Sequence, residues 1–253
     1  MASDNKNITL DETAFIIGSG PSLNEIDISL LKDLDTFGMN RQYIAFEDWG
    51  FEPKYYCMCD AKLISAIFDK DIVEKYVKDP LCKIQKYFIS QIHNWEPLNE
   101  KVNSIFRFSS MHEYSLGHIC ERTKNPFPTI PGEAYGNCGL WATCISYILG
   151  YKRAVLLGID CTYGKREESV EQGKDLEHFH PEYFDPKSFF EGDTHGNSEA
   201  DGGLAQWETV LEHINSMKQN YPFEFEIISS SPKSSLNEML EYVPLEEILD
   251  GKR

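Results

Sequence analysis

No block of basic residues occurs anywhere in the 253 residues, and the formal net charge is -17. A surface this acidic repels phosphate backbones and anionic lipid, which argues against nucleic acid and peripheral membrane binding. It leaves room for a small anionic ligand, because a local cluster of N–H groups binds phosphate against the global sign. No apolar run approaches the about 20 residues that a membrane helix needs, so no transmembrane segment is expected. The polar stretch MASDNKNITLDET has no apolar centre of the kind a secretory signal carries. Paired CxxC units are missing as well. The seven cysteines are odd in number, and Cys57 and Cys59 sit in an apolar, strand-like run. They read as reduced core thiols of a cytoplasmic protein rather than as a zinc site or a disulfide framework. Internal repeats and low-complexity tracts are also absent.

Hydrophobic residues make up 41% of the chain, enough to bury a core of ordinary depth in one domain spanning 1–253. Apolar runs rich in β-branched and aromatic residues recur at 14–17, 36–39, 54–59, 84–89, 104–108, 153–158 and 223–229. Helical periodicity lies between several of them. It is carried by Leu23, Ile26, Leu30, Leu31 and Leu34 over 22–34, and by Leu63, Ile64, Ile67, Ile72 and Val73 over 61–78. Over 204–217 it is carried by Leu204, Trp207, Val210, Leu211, Ile214 and Met217. Residues 138–149 are apolar nearly all round and predict a buried helix. Such alternation predicts an α/β fold with a mainly parallel central sheet flanked by helices, Rossmann-like in kind. Residues 109–137 read as an irregular connection with one short helix around His112 to Arg122. Residues 164–203 are polar with little periodicity and read as a lid loop.

The first apolar run ends in Gly18-Ser19-Gly20-Pro21-Ser22. A parallel strand that closes on a glycine-rich turn before a helix leaves N–H groups and the positive end of the helix dipole facing the crevice, which favours phosphate. Glycine lets backbone approach a ligand closely, and Pro21 suits a first helical position. Neither the dinucleotide fingerprint GxGxxG nor the P-loop GxxxxGK[ST] is present, so a tight turn with a helix start remains an equal reading.

The stretch GSGPSLNEIDISLLKDLDTFGMNRQY resembles the N-terminal motif of bacterial sialyltransferases of the Campylobacter type (glycosyltransferase family 42). It also resembles the opening of the related MptE-like domain, named for 6-hydroxymethylpterin diphosphokinases. Two further stretches are similar, in family order: GNCGLWATCISYILGYKRAVLLGIDCTYG at 136–164 and IISSSPKSSLNEMLEYVPLEEIL at 227–249. Together they cover about a third of the chain.

The resemblance implies the sialyltransferase-type GT-A variant of the nucleotide-sugar transferase fold. Gly18, Ser19, Gly20, Pro21 and Ser22 match the turn facing the nucleotide, and Asn40 matches an Asn at the end of the second strand, where its amide suits cytosine or ribose edges. Asp60 stands where the sialyltransferases carry Asn; it fits the MptE-like branch, a ribose or metal contact, or a helix N-cap. Asn137, Cys138 and Gly139 occupy the turn before the buried helix. Glu133 and Tyr135 stand near the position of a family Arg, which leaves the donor sugar open. Asp160 ends a strand, and Tyr163 matches a tyrosine that supports the leaving phosphate, or packs. His195, with Glu199 and Asp201 nearby, matches the family's general base toward an acceptor hydroxyl. His178, His180 and Tyr183 are lid contacts to phosphate or acceptor; a metal at His178 and His180 lacks an evident third ligand.

No Asp-x-Asp follows a strand, so the transferase reading needs no metal and no cofactor. It takes a nucleotide-sugar donor, most plausibly CMP-linked, and a glycan acceptor in polysaccharide biosynthesis. Two alternatives stay open. One is an MptE-like diphosphokinase using ATP and Mg²⁺, with Asp60 and Asp160 at separate strand ends holding the ion. The other is a non-catalytic member that binds a nucleotide or glycan. The ending LEEILDGKR lacks the basic membrane tail of some sialyltransferases, which implies a soluble form. A homo-oligomer is suggested by analogy alone.

Overall fold

A computed structural model describes residues 8–58, 86–90, 105–108, 137–162, 166–181, 183, 207–208, 211–212 and 225–252. Among these residues seven strands form one sheet: β1 (Thr13–Ile17), β2 (Thr36–Met39), β3 (Tyr55–Met58), β4 (Lys86–Ser90), β5 (Ile105–Phe108), β6 (Arg153–Leu157) and β7 (Glu226–Ser229). Their order is β5-β4-β3-β2-β1-β6-β7, and every pairing is parallel. Each coincides with one of the apolar runs.

Parallel strands in the middle of such a sheet are covered on both faces, so they carry unbroken apolar runs instead of alternating with polar residues. All five residues of β1 and all five of β6 are buried. Their side chains still alternate. Ala14, Ile16, Ala154 and Leu156 enter a cluster on one face; Phe15, Ile17, Val155 and Leu157 enter a second cluster on the other.

Helix α2 (Cys138–Ile148) covers the first face, and α1 (Phe46–Trp49) lies between β2 and β3. Asn137 starts α2 by accepting the N–H groups of Gly139 and Leu140 on its side chain. Gly150, in the left-handed region at φ 86, follows its last turn. The second face is covered by short turns around Leu23, Ile28 and Leu31, by Phe51, Phe179 and Tyr183, and by α4 (Leu245–Leu249).

Two expectations are corrected here. The segment 22–34 is not one helix but two single 3-10 turns, Pro21–Glu25 and Ile28–Leu31. Asp27 causes the break: its carboxylate accepts the Ser29 N–H and starts the second turn afresh. The polar stretch after β6 is not loop throughout, since α3 (Arg166–Gln172) opens it. The helices expected at 61–78 and around His112 lie outside the described residues.

Candidate functional site

In this sheet the chain runs from β1 outward through β2 in one direction and through β6 in the other. The point of reversal lies between β1 and β6, where ligands of open α/β sheets bind beyond the carboxyl ends of the strands. The glycine-rich turn sits at that point, and its Gly18, Gly20 and Ser22 N–H groups are taken by the chain itself. Gly18 N–H donates to Leu157 O at 2.6 Å, and Gly20 N–H to Gly158 O at 2.7 Å. Ser22 donates its N–H to Asp160 Oδ2 at 2.8 Å and its hydroxyl to Asp160 Oδ1. Asp160 is 5% exposed, so a carboxylate of the chain itself occupies the place that the helix start offered to phosphate. Of the N–H groups expected to be free there, those of Gly18, Gly20 and Ser22 are engaged. The glycines serve close approach instead, because a Cβ on Gly20 would stand 2.5 Å from Asp160 Oδ2.

The segment that follows β7 holds Asp160 in turn. Ser234 donates its hydroxyl to Ile159 O at 2.6 Å, and Ser235 N–H donates to Asp160 O at 2.9 Å. Cys161 next to it sits at φ 52. A non-glycine residue there is strained by about 1–3 kcal/mol and persists only where its surroundings fix it.

On the other side of β1, buried Gln42 ties the first two strands together. Its Oε1 accepts Met39 N–H at 2.9 Å, and its Nε2 donates to Ile17 O and Gly18 O at 2.6 and 2.7 Å. Asn40 lies at the end of β2 with φ 50, a conformation that Asn tolerates better than most residues. Its side-chain oxygen accepts the Cys138 thiol at 3.2 Å. The end of β2 is thereby joined to the start of α2.

The segment 175–181 lies against the turn. Phe179 N–H donates to Ser19 O at 2.9 Å, and Asn24 Nδ2 donates to Phe179 O at 2.8 Å. The Phe179 and Tyr183 rings are buried in the second cluster, with Trp49 5.7 Å from Phe179. The Tyr183 hydroxyl lies 3.0 Å from Ser19 Oγ and accepts Arg41 N–H at 3.3 Å. Burial raises the Tyr183 phenol well above its ordinary value, against the opposing pull of Ser19 and Arg41. His178 stacks on the Tyr183 ring, centroids 4.3 Å apart.

The structure thus brings Ser19, Asn40, Cys138 and Tyr183 to one part of the carboxyl edge, with His178 beside them. Gly18, Gly20, Pro21, Ser22 and Asp160 form the adjoining brace. Asn137 and Gly139 belong to the start of α2, where a Cβ on Gly139 would press within 2.8 Å of Ile159. His180 is half-buried and stays next to Phe179. Asp60, Tyr163 and His195 lie outside the described residues. Sequence reasoning missed Gln42 and Asp175 and left Arg41 out of the site. The spacing Asp175-x-x-His178 was the available signal for Asp175. Among the described residues no cluster of metal-ligating side chains occurs, and no helix is long and apolar enough to cross a membrane.

No protein-family model and no curated protein matches the chain. Two solved structures are similar to it. The Maf glycosyltransferase of Magnetospirillum magneticum AMB-1 is 15% identical, with a TM-score of 0.39, over 63% of this chain and 24% of its own. This chain therefore spans about a quarter of that protein's length. The sialyltransferase CstII of Campylobacter jejuni, solved with cytidine-5'-monophosphate, is 14% identical, with a TM-score of 0.34, over 92% of this chain and 85% of its own. Both scores are too low to bear on activity.

Proposed function

We propose that the chain is a glycosyltransferase that moves a sugar from a nucleotide-activated donor, of the CMP-linked type, to a glycan hydroxyl. One observation supports this most: Ser19, Asn40, Cys138 and Tyr183 converge from four separate segments on the carboxyl edge of a parallel sheet. Such an edge with a few convergent polar groups is the usual place for a nucleotide in this architecture. Asn40 offers the donor and acceptor pair that a base or ribose edge requires. Ser19 offers a hydroxyl to a phosphate oxygen, and the buried Tyr183 phenol beside it holds that hydroxyl in place. A hydroxyl stabilises charge developing on a leaving phosphate without adding charge of its own, and Tyr163 would share that role. In this reading the donor lies on the β1–β2 side of the turn, since Asp160 fills the β1–β6 side. The proton acceptor is a histidine of the segment after β6, and the transfer runs without a metal.

Thermal-shift titration with CMP, CDP, UDP, GDP and ATP, followed by hydrolysis assays with the matching nucleotide sugars, tests the proposal. The expected result is a rise in Tm with CMP or another nucleoside phosphate, and donor hydrolysis that persists in EDTA. Binding and turnover of none of them would remove the proposal, and magnesium-dependent use of ATP alone would give the site to phosphoryl transfer.

A further inference from the structure

Among the described strands β7 stands at one edge of the sheet, and the segment 241–243 covers part of it. Ser229 N–H donates to Glu241 O and Val243 N–H donates to Ser229 O, both at 2.9 Å. These bonds make Ser229 and Tyr242 a parallel bridge. The residues on either side of Tyr242 make both of them, so the N–H and C=O of Tyr242 itself point away from β7. Among the described residues neither group has a hydrogen-bond partner. The backbone here is fixed from behind. Val243 and Leu245 are buried in the second cluster, the Ser230 hydroxyl donates to Val243 O at 2.6 Å, and Pro244 O accepts the Glu247 and Ile248 N–H groups that start α4. An incoming strand meets an edge that is already extended, so ordering this side of the contact costs little.

The side chains at this edge are apolar and acidic. Tyr242 is 41% exposed, and Met239, three residues before it, is 39% exposed. Open edges are commonly blunted by lysine or a bulge; here an aromatic ring stands on the edge. Burial, then the charges of Glu246, Glu247 and Glu25, raise the Tyr242 phenol above its ordinary value, so three carboxylates lie within electrostatic reach of the ring. Lys233 pairs with Glu25, and Lys252 with Asp250. Glu246 and Glu247 are exposed and have no ion-pair partner among the described residues. That charge decides between occupants. A second copy paired through the same edge would set these carboxylates against their own counterparts, on a chain of net charge -17, and like charges facing each other across strands are unfavourable. A cationic strand meets them with the opposite sign.

We propose that the Tyr242 edge is a docking site for an extended basic segment of a partner protein, which joins the sheet as a further strand. The backbone of that segment pairs with the N–H and C=O of Tyr242. Its Lys or Arg side chains meet Glu25, Glu246 and Glu247, and an apolar side chain packs on Tyr242 and Met239. The proposal does not depend on the nucleotide-sugar reading.

The test titrates the full chain with the synthetic peptide acetyl-Lys-Val-Lys-Val-Lys-Val-Lys-amide by calorimetry, and NMR follows hydrogen exchange at the Tyr242 amide. One control peptide carries Glu in place of Lys. A second is N-methylated at every residue, which keeps the charge and removes the backbone donors. The lysine peptide is expected to bind one to one and to slow exchange at the Tyr242 amide by at least about tenfold. The glutamate peptide should not bind, and the methylated one should bind at least about tenfold more weakly. Raising salt from about 50 to about 500 mM should also weaken binding by at least about tenfold. Tyr242→Ala, and Glu246→Gln combined with Glu247→Gln, change exposed side chains only, and each should weaken binding by about three- to tenfold with the circular dichroism spectrum unchanged. Failure of the lysine peptide to bind, equal affinity for the methylated peptide, or an unaltered exchange rate at Tyr242 each overturns the proposal. Dimers in sedimentation that strengthen with salt and are lost in Tyr242→Ala overturn it in favour of a second copy.

Discussion

Replacing Asp160 by Asn tests whether the glycine-rich turn is braced from within. The carboxylate is 5% exposed and takes both the N–H and the hydroxyl of Ser22. Hydrogen bonds to a charged group contribute about 1.5–3 kcal/mol each. Asparagine keeps one acceptor oxygen for the Ser22 N–H and turns an NH₂ toward Ser22 Oγ, which accepts from it, so the charge on both bonds is lost and the Ser22 O–H loses its acceptor. The expected loss is about 2–4 kcal/mol, or roughly 4–16 °C in Tm for a chain of this size. Ser22→Ala removes only the hydroxyl and should cost about 1–2 kcal/mol. The two side chains share one interaction, so the double variant should fall within about 1 kcal/mol of Asp160→Asn alone. Urea unfolding followed by tryptophan fluorescence measures all three. A Tm change under about 1 °C for Asp160→Asn, or strict additivity in the double variant, refutes the brace. The same variant also probes the ligand. With the donor on the β1–β2 side, CMP affinity should stay within about threefold; a tenfold loss, about 1.4 kcal/mol, returns Asp160 to the nucleotide.

Gln42→Leu removes the acceptor of Met39 N–H and the donor shared by Ile17 O and Gly18 O. A loss of about 2–4 kcal/mol in denaturant unfolding is expected, and a change under about 0.5 kcal/mol refutes the clamp. Burial pushes the thiols of Cys144 and Cys161 from 9.0 up to about 12, with the Asp160 charge adding to the shift at Cys161. Thiolate is the reactive form, so mass spectrometry should find both unalkylated by iodoacetamide at about pH 8 in the folded chain and labelled after unfolding. The folded state also holds these protons where the unfolded chain has lost them. Their contribution is complete below pH 9.0 and disappears as pH rises toward about 12. Unfolding curves should show stability falling on that alkaline side; a rise there refutes the assignment.

The strands were legible because a parallel sheet covered on both faces needs unbroken apolar runs, and β1 and β6 carry them. The stretch 22–34 misled because Leu23, Ile26, Leu30, Leu31 and Leu34 fit a helix, yet Leu30 is 44% exposed and Ile28 is the residue that packs. Two short turns separated by Asp27 satisfy nearly the same spacing, and only tertiary packing tells them apart. The turn at 18–22 was legible as a turn. The acceptors for its donors were not, since Leu157, Gly158 and Asp160 lie far along the chain and no local pattern ties them to it. Gln42 escaped for a similar reason: a polar residue gives no sign in sequence that it is buried.

On the proposed reading, the position of Asp160 constrains where an anionic donor can sit. A phosphate brought to the β1–β6 side would meet a buried carboxylate already satisfied by Ser22, and like charge there is costly in a low-dielectric site. On the β1–β2 side the same turn carries the Ser19 hydroxyl, with the buried Tyr183 phenol against it and Arg41 near that phenol. The left-handed Asn40 ends β2 on this side, and the strained Cys161 follows the brace on the other. Backbone held in such conformations persists only where surrounding contacts fix it, and here those contacts are the Cys138 thiol on Asn40 and the Ser234–Ser235 segment behind Asp160. On that reading the brace is what makes the other side usable. It fixes the strand ends and the turn so that groups from β1, β2, α2 and the Phe179 segment meet without having to be ordered by the ligand, a cost that binding energy would otherwise have to offset.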